Sequence, residues 1–150
     1  MCDNDVHRIL IESFISVLGR LIGSSIEYSA KKIDFLTSKN VLIRTRGNFS
    51  ACLFFCMDSD FEHTIIECMK GTENGCSNED DLFVGEFVNI LSGHALTKLN
   101  NLMGSSSRLS VPEVGALSKG VCEEFQKQYT LCFKSTIGNM RVDVGYEYRL

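Results

Sequence analysis

One pattern occurs twice along this chain: a stretch of apolar residues at helical spacing, followed at a distance by two extended apolar runs with a Gly-Asn pair between them. In the first copy Val6, Ile9, Leu10, Phe14, Val17, Leu18 and Leu21 fall on one face over residues 5–22, and Gly23 supplies a stop. Runs 41–46 and 49–57 then flank Gly47-Asn48, the signature of a hairpin. In the second copy a helix starts near Asn78, behind a Ser77/Asn78 cap and the acidic trio Glu79-Asp80-Asp81, and continues to about Met103. Its hairpin is formed by 129–136 and 140–148, joined at Gly138-Asn139. Residues 12–19 can be laid over 86–93, with Glu first and Gly last in both. Two related helix-plus-hairpin halves predict an α/β (α+β) domain in which two long helices cover a central antiparallel sheet.

The segments between are simpler. Asp58 or Ser59 caps a helix through about Met69 that turns Ile65, Ile66 and Met69 inward, and 71–75 is a loop. After the second long helix, 104–107 is a loop, 109–111 a short strand and 112–120 irregular. The only proline is Pro112, so no Pro-rich linker divides the 150 residues, and a single domain spanning 1–150 is expected.

A net charge of -4 with no Lys/Arg run disfavours a polyanionic partner such as nucleic acid. No apolar run approaches the roughly 20 residues that span a bilayer, and the opening MCDNDVHR is acidic and polar where a signal peptide is cationic then apolar. A cytoplasmic protein without membrane insertion is expected. The seven cysteines are odd in number and contain no C-x-x-C pair, which reads as small buried hydrophobes; the competing use is a metal or redox site built from Cys76 and a histidine.

The second long helix carries the chemistry. At about 100° per residue, Glu86, Asn89, Gly93, Thr97 and Asn100 fall in a narrow stripe, and Val84, Val88, Leu91, Ala95, Leu99 and Leu102 form the opposite, core-facing side. Phe83 and Ile90 flank the stripe, giving a polar line apolar shoulders in place of the Lys/Glu dressing of a solvated face. Gly93 costs such a helix about 1 kcal/mol relative to Ala, and a bare position there lets another surface come close to Glu86 and Asn89.

A Glu-x-x-Asn pair alone is ordinary on an exposed helix. The longer pattern G-E-x-x-N-x-x-x-G-x-A-x-T-x-L over residues 85–99, followed by Leu109-Ser110-Val111-Pro112 and a hairpin, resembles the CheX branch of the CheC/CheX/FliY phosphatase family of bacterial chemotaxis. The resemblance implies an enzyme that dephosphorylates the aspartyl phosphate of a CheY-type response regulator, with Glu86 and Asn89 as its catalytic residues. Phe83, Ile90, Gly93 and Thr97, beside or on the stripe, are the candidate partner contacts. At the position of Asn89 the first helix has Ile15, so Glu12 is structural and a single site is implied. His94 lies off the stripe and reads as a solvated imidazole. The resemblance also implies no cofactor or metal in the chain itself, the Mg2+ belonging to the regulator's active site, and a homodimer, for which the sheet's edge strand offers a route. The other reading is a non-catalytic module, regulator-binding or flagellar-switch-like.

Overall fold

The computed structural model describes residues 3–71, 79–118, 120 and 122–149. Its elements are α1 (Asp3–Ile22), β1 (Ile26–Ser29), β2 (Lys39–Arg46), β3 (Phe49–Met57), α2 (Ser59–Lys70), α3 (Asp80–Met103), β4 (Arg108–Leu109), β5 (Glu113–Val114), β6 (Lys127–Ser135) and β7 (Gly138–Tyr148), with a 3-10 turn at Cys122–Glu124. The expected Ser77/Asn78 cap of α3 and most of the 71–75 loop lie outside the described residues.

The strands form one antiparallel sheet in the order β1-β6-β7-β3-β2-β4, with β5 also on β2. The hairpins β2–β3 and β6–β7 meet at its centre, where Leu53 of β3 faces Val144 of β7. Each half lends its short strands to the other: β1, which follows α1, pairs with β6, and β4 and β5, which follow α3, pair with β2. The duplication expected from the sequence is therefore an exchange, in which each hairpin is completed by the opposite half.

All three helices lie on one face of the sheet. Between them and the strands is the main core, with Phe14, Phe55, Phe61, Phe87, Phe133 and Tyr146 among its fully buried side chains. The other face is covered by irregular chain: Phe35, Ala116, Cys122 and Phe125 pack over Leu42, Cys52, Phe54 and Cys56. Covered on both faces, β3 buries every residue but Ser50, which accounts for its unbroken apolar run. Among the described cysteines Cys52, Cys56, Cys122 and Cys132 are buried and Cys68 is exposed. Cys2 and Cys76 lie outside the described residues.

Three expectations change. First, β1 and β5 occupy segments read as a polar connection and an irregular run. They are edge additions of four and two residues, too short and too exposed to print a period. Second, the turn of the second hairpin is Thr136-Ile137, and Gly138 opens β7 at φ +131. A β-carbon at 138 would lie 2.5 Å from both Asp58 Oδ1 and Phe61 N, so the glycine serves the packing of α2 on the hairpin. Asp58 makes that junction: Oδ1 accepts from Phe61 N at 2.9 Å as the helix cap, and Oδ2 accepts from Asn139 N at 2.9 Å. Third, Leu102 does not belong to the core face. By the last turn of α3 the buried side has rotated to Leu96, Leu99 and Met103, leaving Leu102 51% exposed.

Candidate active site

The site is built on α3, whose inner face is locked by Val84, Phe87, Val88, Leu91 and Ala95, all at or below 1% exposure. That packing fixes the rotation of the helix and turns Glu86 and Asn89, three residues apart, outward together. Both are exposed, and among the described residues neither side chain has a hydrogen-bond or ion-pair partner.

They do not stand on an open helix face. The chain between β4 and β5 runs beside them and forms the second wall of a groove of about 530 Å3, lined by Asp81, Leu82, Gly85, Glu86 and Asn89 on the helix side and by Leu109, Ser110, Val111, Pro112 and Val114 opposite. This wall is anchored to β2: Ser110 N donates to Arg44 O at 2.8 Å, Ser110 Oγ accepts from Arg44 N at 3.0 Å, and Gly115 N donates to Asn40 O at 2.7 Å. The exposed apolar side chains that line it are Leu82, 72% exposed, and Val111, 87%; Ile90, 37% exposed, follows Asn89 on the helix outside the groove lining. Exposed apolar groups gathered round two unpartnered polar ones give the surface the make-up of a docking site.

The other residues of the stripe behave differently. Phe83 is partly buried against the main core. At Gly93 an added β-carbon would meet Leu109 Cδ1 at 3.6 Å, so the surface close to that glycine is the chain's own β4. Thr97 is exposed and its Oγ1 donates back to Gly93 O at 2.9 Å. Asn100 is a structural clamp: Nδ2 donates to Ser107 O at 2.9 Å, and Oδ1 accepts from Ser105 Oγ at 2.9 Å and Ser107 N at 3.1 Å. The stripe thus divides into an open half at Glu86 and Asn89 and a half engaged with its own loop.

In α1, Ile15 packs against the core and Glu12 is exposed beside Arg8, 3.5 Å away. The first helix therefore offers an apolar, partly buried residue where α3 offers Asn89. Near the start of α3, Lys39 Nζ bonds Asp81 Oδ1 at 2.9 Å, which holds the lysine above its ordinary range. His94 is partly buried, and its imidazole is pushed below 6.5 by desolvation first, then by Lys98 and Arg20. Among the described residues no group of three or more His, Cys, Asp or Glu side chains could hold a metal ion, and no helix is long and apolar enough to cross a membrane.

The family model for the chemotaxis phosphatase CheX matches residues 40–134, the span that carries this groove. The chain belongs to the CheX family. None of the curated proteins matches it. Among solved structures it is similar to the chemotaxis protein CheX from Vibrio vulnificus, at 20% identity and a TM-score of 0.73 over 95% of this chain and 96% of that one. It is similar to the CheX–CheY–BeF3–Mg2+ complex from Borrelia burgdorferi, at 14% identity and a TM-score of 0.68 over 93% and 96% of the chains. FliY from Thermotoga maritima is matched at 16% identity, with a TM-score of 0.59 over 94% and 86%. At these identities the likeness is one of fold. Within that CheX fold, reading the helix alone missed the second wall. Gly85 and Pro112 were its available signals: a small residue where α3 meets another segment, and a rigid one in that segment.

Proposed function

We propose that this CheX-family chain hydrolyses the aspartyl phosphate of a CheY-type response regulator, with Asn89 placing the attacking water and Glu86 fixing the docked partner. The observation that carries the reading is the pairing of Glu86 and Asn89, exposed and without a partner among the described residues, on one wall of a groove with exposed apolar side chains. It is supported by membership of the CheX family and by likeness to a CheX crystallised with CheY.

An aspartyl phosphate is an activated acyl phosphate, and phosphoryl transfer rewards placement and charge stabilisation more than covalent help. A carboxamide both donates to and accepts from a water while bringing no charge towards the phosphoryl oxygens, which suits Asn89 to holding that water in line. Glu86, one turn away, is the anionic arm for a lysine of the partner, and that pair sets the register in which Asn89 reaches the phosphorus. In this scheme the metal ion belongs to the regulator.

The test is loss of phosphate from a 32P-labelled CheY-type regulator in Mg2+, alone, with this protein and with Asn89→Ala. Acceleration by wild type and not by the variant supports the assignment. Tight binding of the phosphorylated regulator without acceleration replaces it with a non-catalytic docking module.

A further inference from the structure

On the face of the sheet away from the helices, two thiols meet. Cys52 lies on β3 and is fully buried; Cys122 opens the 3-10 turn laid across it and is 3% exposed. Cys52 is paired across the sheet with Gly145 of β7. A β-carbon at 145 would collide with the Cys122 carbonyl oxygen and lie 2.9 Å from the Phe125 ring. The bare position opposite Cys52 is what lets the turn settle onto the sheet. The two Sγ atoms stand 2.6 Å apart, against about 2.04 Å in a disulfide.

We propose that Cys52 and Cys122 are a modification site: a dithiol that a hydroperoxide oxidises to a disulfide, fastening the cover of the outer sheet face to β3. A cavity of about 200 Å3, lined by Cys122, Gln128, Thr130 and Asp143 among others, reaches the Cys122 side of the pair and admits a molecule of peroxide size.

The chemistry balances. Cys122 loses its proton to solvent, and its Sγ, on the cavity side of the pair, attacks one oxygen of hydrogen peroxide. The O–O bond breaks, the hydroxide leaves and is protonated to water, and Cys122 becomes a sulfenic acid. Cys52 Sγ then attacks that sulfur as its own proton departs, the S–O bond breaks, and the second hydroxide leaves as water. Two thiols are oxidised to one disulfide and one peroxide is reduced to two waters. The bond would close a loop of 70 residues, a span over which a cross-link restricts the unfolded chain strongly.

The experiment uses the full, pre-reduced chain, treated with hydrogen peroxide under native conditions, its remaining thiols alkylated, and peptides mapped without reductant. A peptide joining Cys52 to Cys122, lost on treatment with dithiothreitol, is the expected result. It should come with a rise in Tm of about 10 °C relative to the reduced chain, and with no such rise in Cys122→Ala. Alkylation of both Cys52 and Cys122 after exposure that oxidises the exposed Cys68, or a bond from Cys122 to another cysteine, overturns the proposal. The wild-type map decides the matter even if the variant folds poorly.

Discussion

Gly85 and Val114 hold the two walls of the groove together: a β-carbon built on Gly85 would lie 3.2 Å from Val114 Cγ2. Gly85→Ala adds one methyl at that contact while improving helix propensity by up to about 1 kcal/mol. The expected outcome is a stability close to wild type in urea unfolding. Gly85→Leu is expected to drive the walls apart, to destabilise by about 1–3 kcal/mol and to lower the proposed phosphatase activity beyond what unfolding explains. A fully active, equally stable Gly85→Leu would show that the wall plays no part in the site.

The proposed division of labour between Glu86 and Asn89 predicts different kinetic signatures. Asn89→Ala is expected to lower the single-turnover rate by about 10²-fold with regulator binding retained. Glu86→Ala is expected to weaken binding as well as rate. Stopped-flow fluorescence of a labelled regulator separates the two; loss of binding in Asn89→Ala with an unchanged rate at saturation would reverse the assignment.

Leu82 and Val111, 72% and 87% exposed, carry little of the fold's stability. The double variant Leu82→Asp/Val111→Asp should keep its Tm within a few degrees and raise the regulator concentration needed for half-maximal rate by about 10-fold or more. An unchanged concentration dependence would remove these residues from the docking surface.

Asp58 joins α2 to the second hairpin through both carboxylate oxygens. Asp58→Ala is expected to cost about 2 kcal/mol or more, because the Phe61 and Asn139 amides both lose their acceptor. Asp58→Ser can restore the cap alone and should recover part of that loss. Urea denaturation of the three proteins measures it.

His94 titrates below 6.5 in the folded chain, with desolvation the main cause and Lys98 and Arg20 adding to it. Its folded value lies below its unfolded one, so the fold favours the neutral ring. That contribution is complete above the unfolded value and is lost as pH falls through the folded value. An NMR titration should place the His94 midpoint below 6.5, and Lys98→Ala should raise it; a midpoint above 6.5 would contradict the environment described here.

The parts of the fold with a strong local period were legible in the sequence: the three helices, β2, β3 and the body of the second hairpin each bury a continuous face. What escaped was whatever only a neighbour distant in sequence defines. Ile26 is the one buried residue of β1, and the two residues of β5 bury nothing fully. Gly138 looked like a turn residue because the requirement on it comes from α2, packed against it from far upstream. In the site, Glu86 and Asn89 could be placed on one face by helical geometry alone. The wall opposite them could not, since Leu109 to Val114 reach the groove only by pairing with β2. Asn100 shared the stripe by angle, and the 104–107 loop, folded back on it, gives it another task.

The pairing of β3 with β7 at the centre of the sheet sets the order in which the molecule can be made. Phe49 finds its cross-strand partner in Tyr148, and β7 lies between β3 and β6. As the chain leaves the ribosome, β2 and β3 emerge with one edge open and an apolar run that no later element yet covers. Nothing synthesised before β7 can close that edge in the native register. Such long-range pairing slows folding and leaves the nascent chain sticky in the interval. β7 is thus the keystone of the sheet's centre, and a ribosome stalled short of it leaves a nascent chain whose sheet cannot be completed.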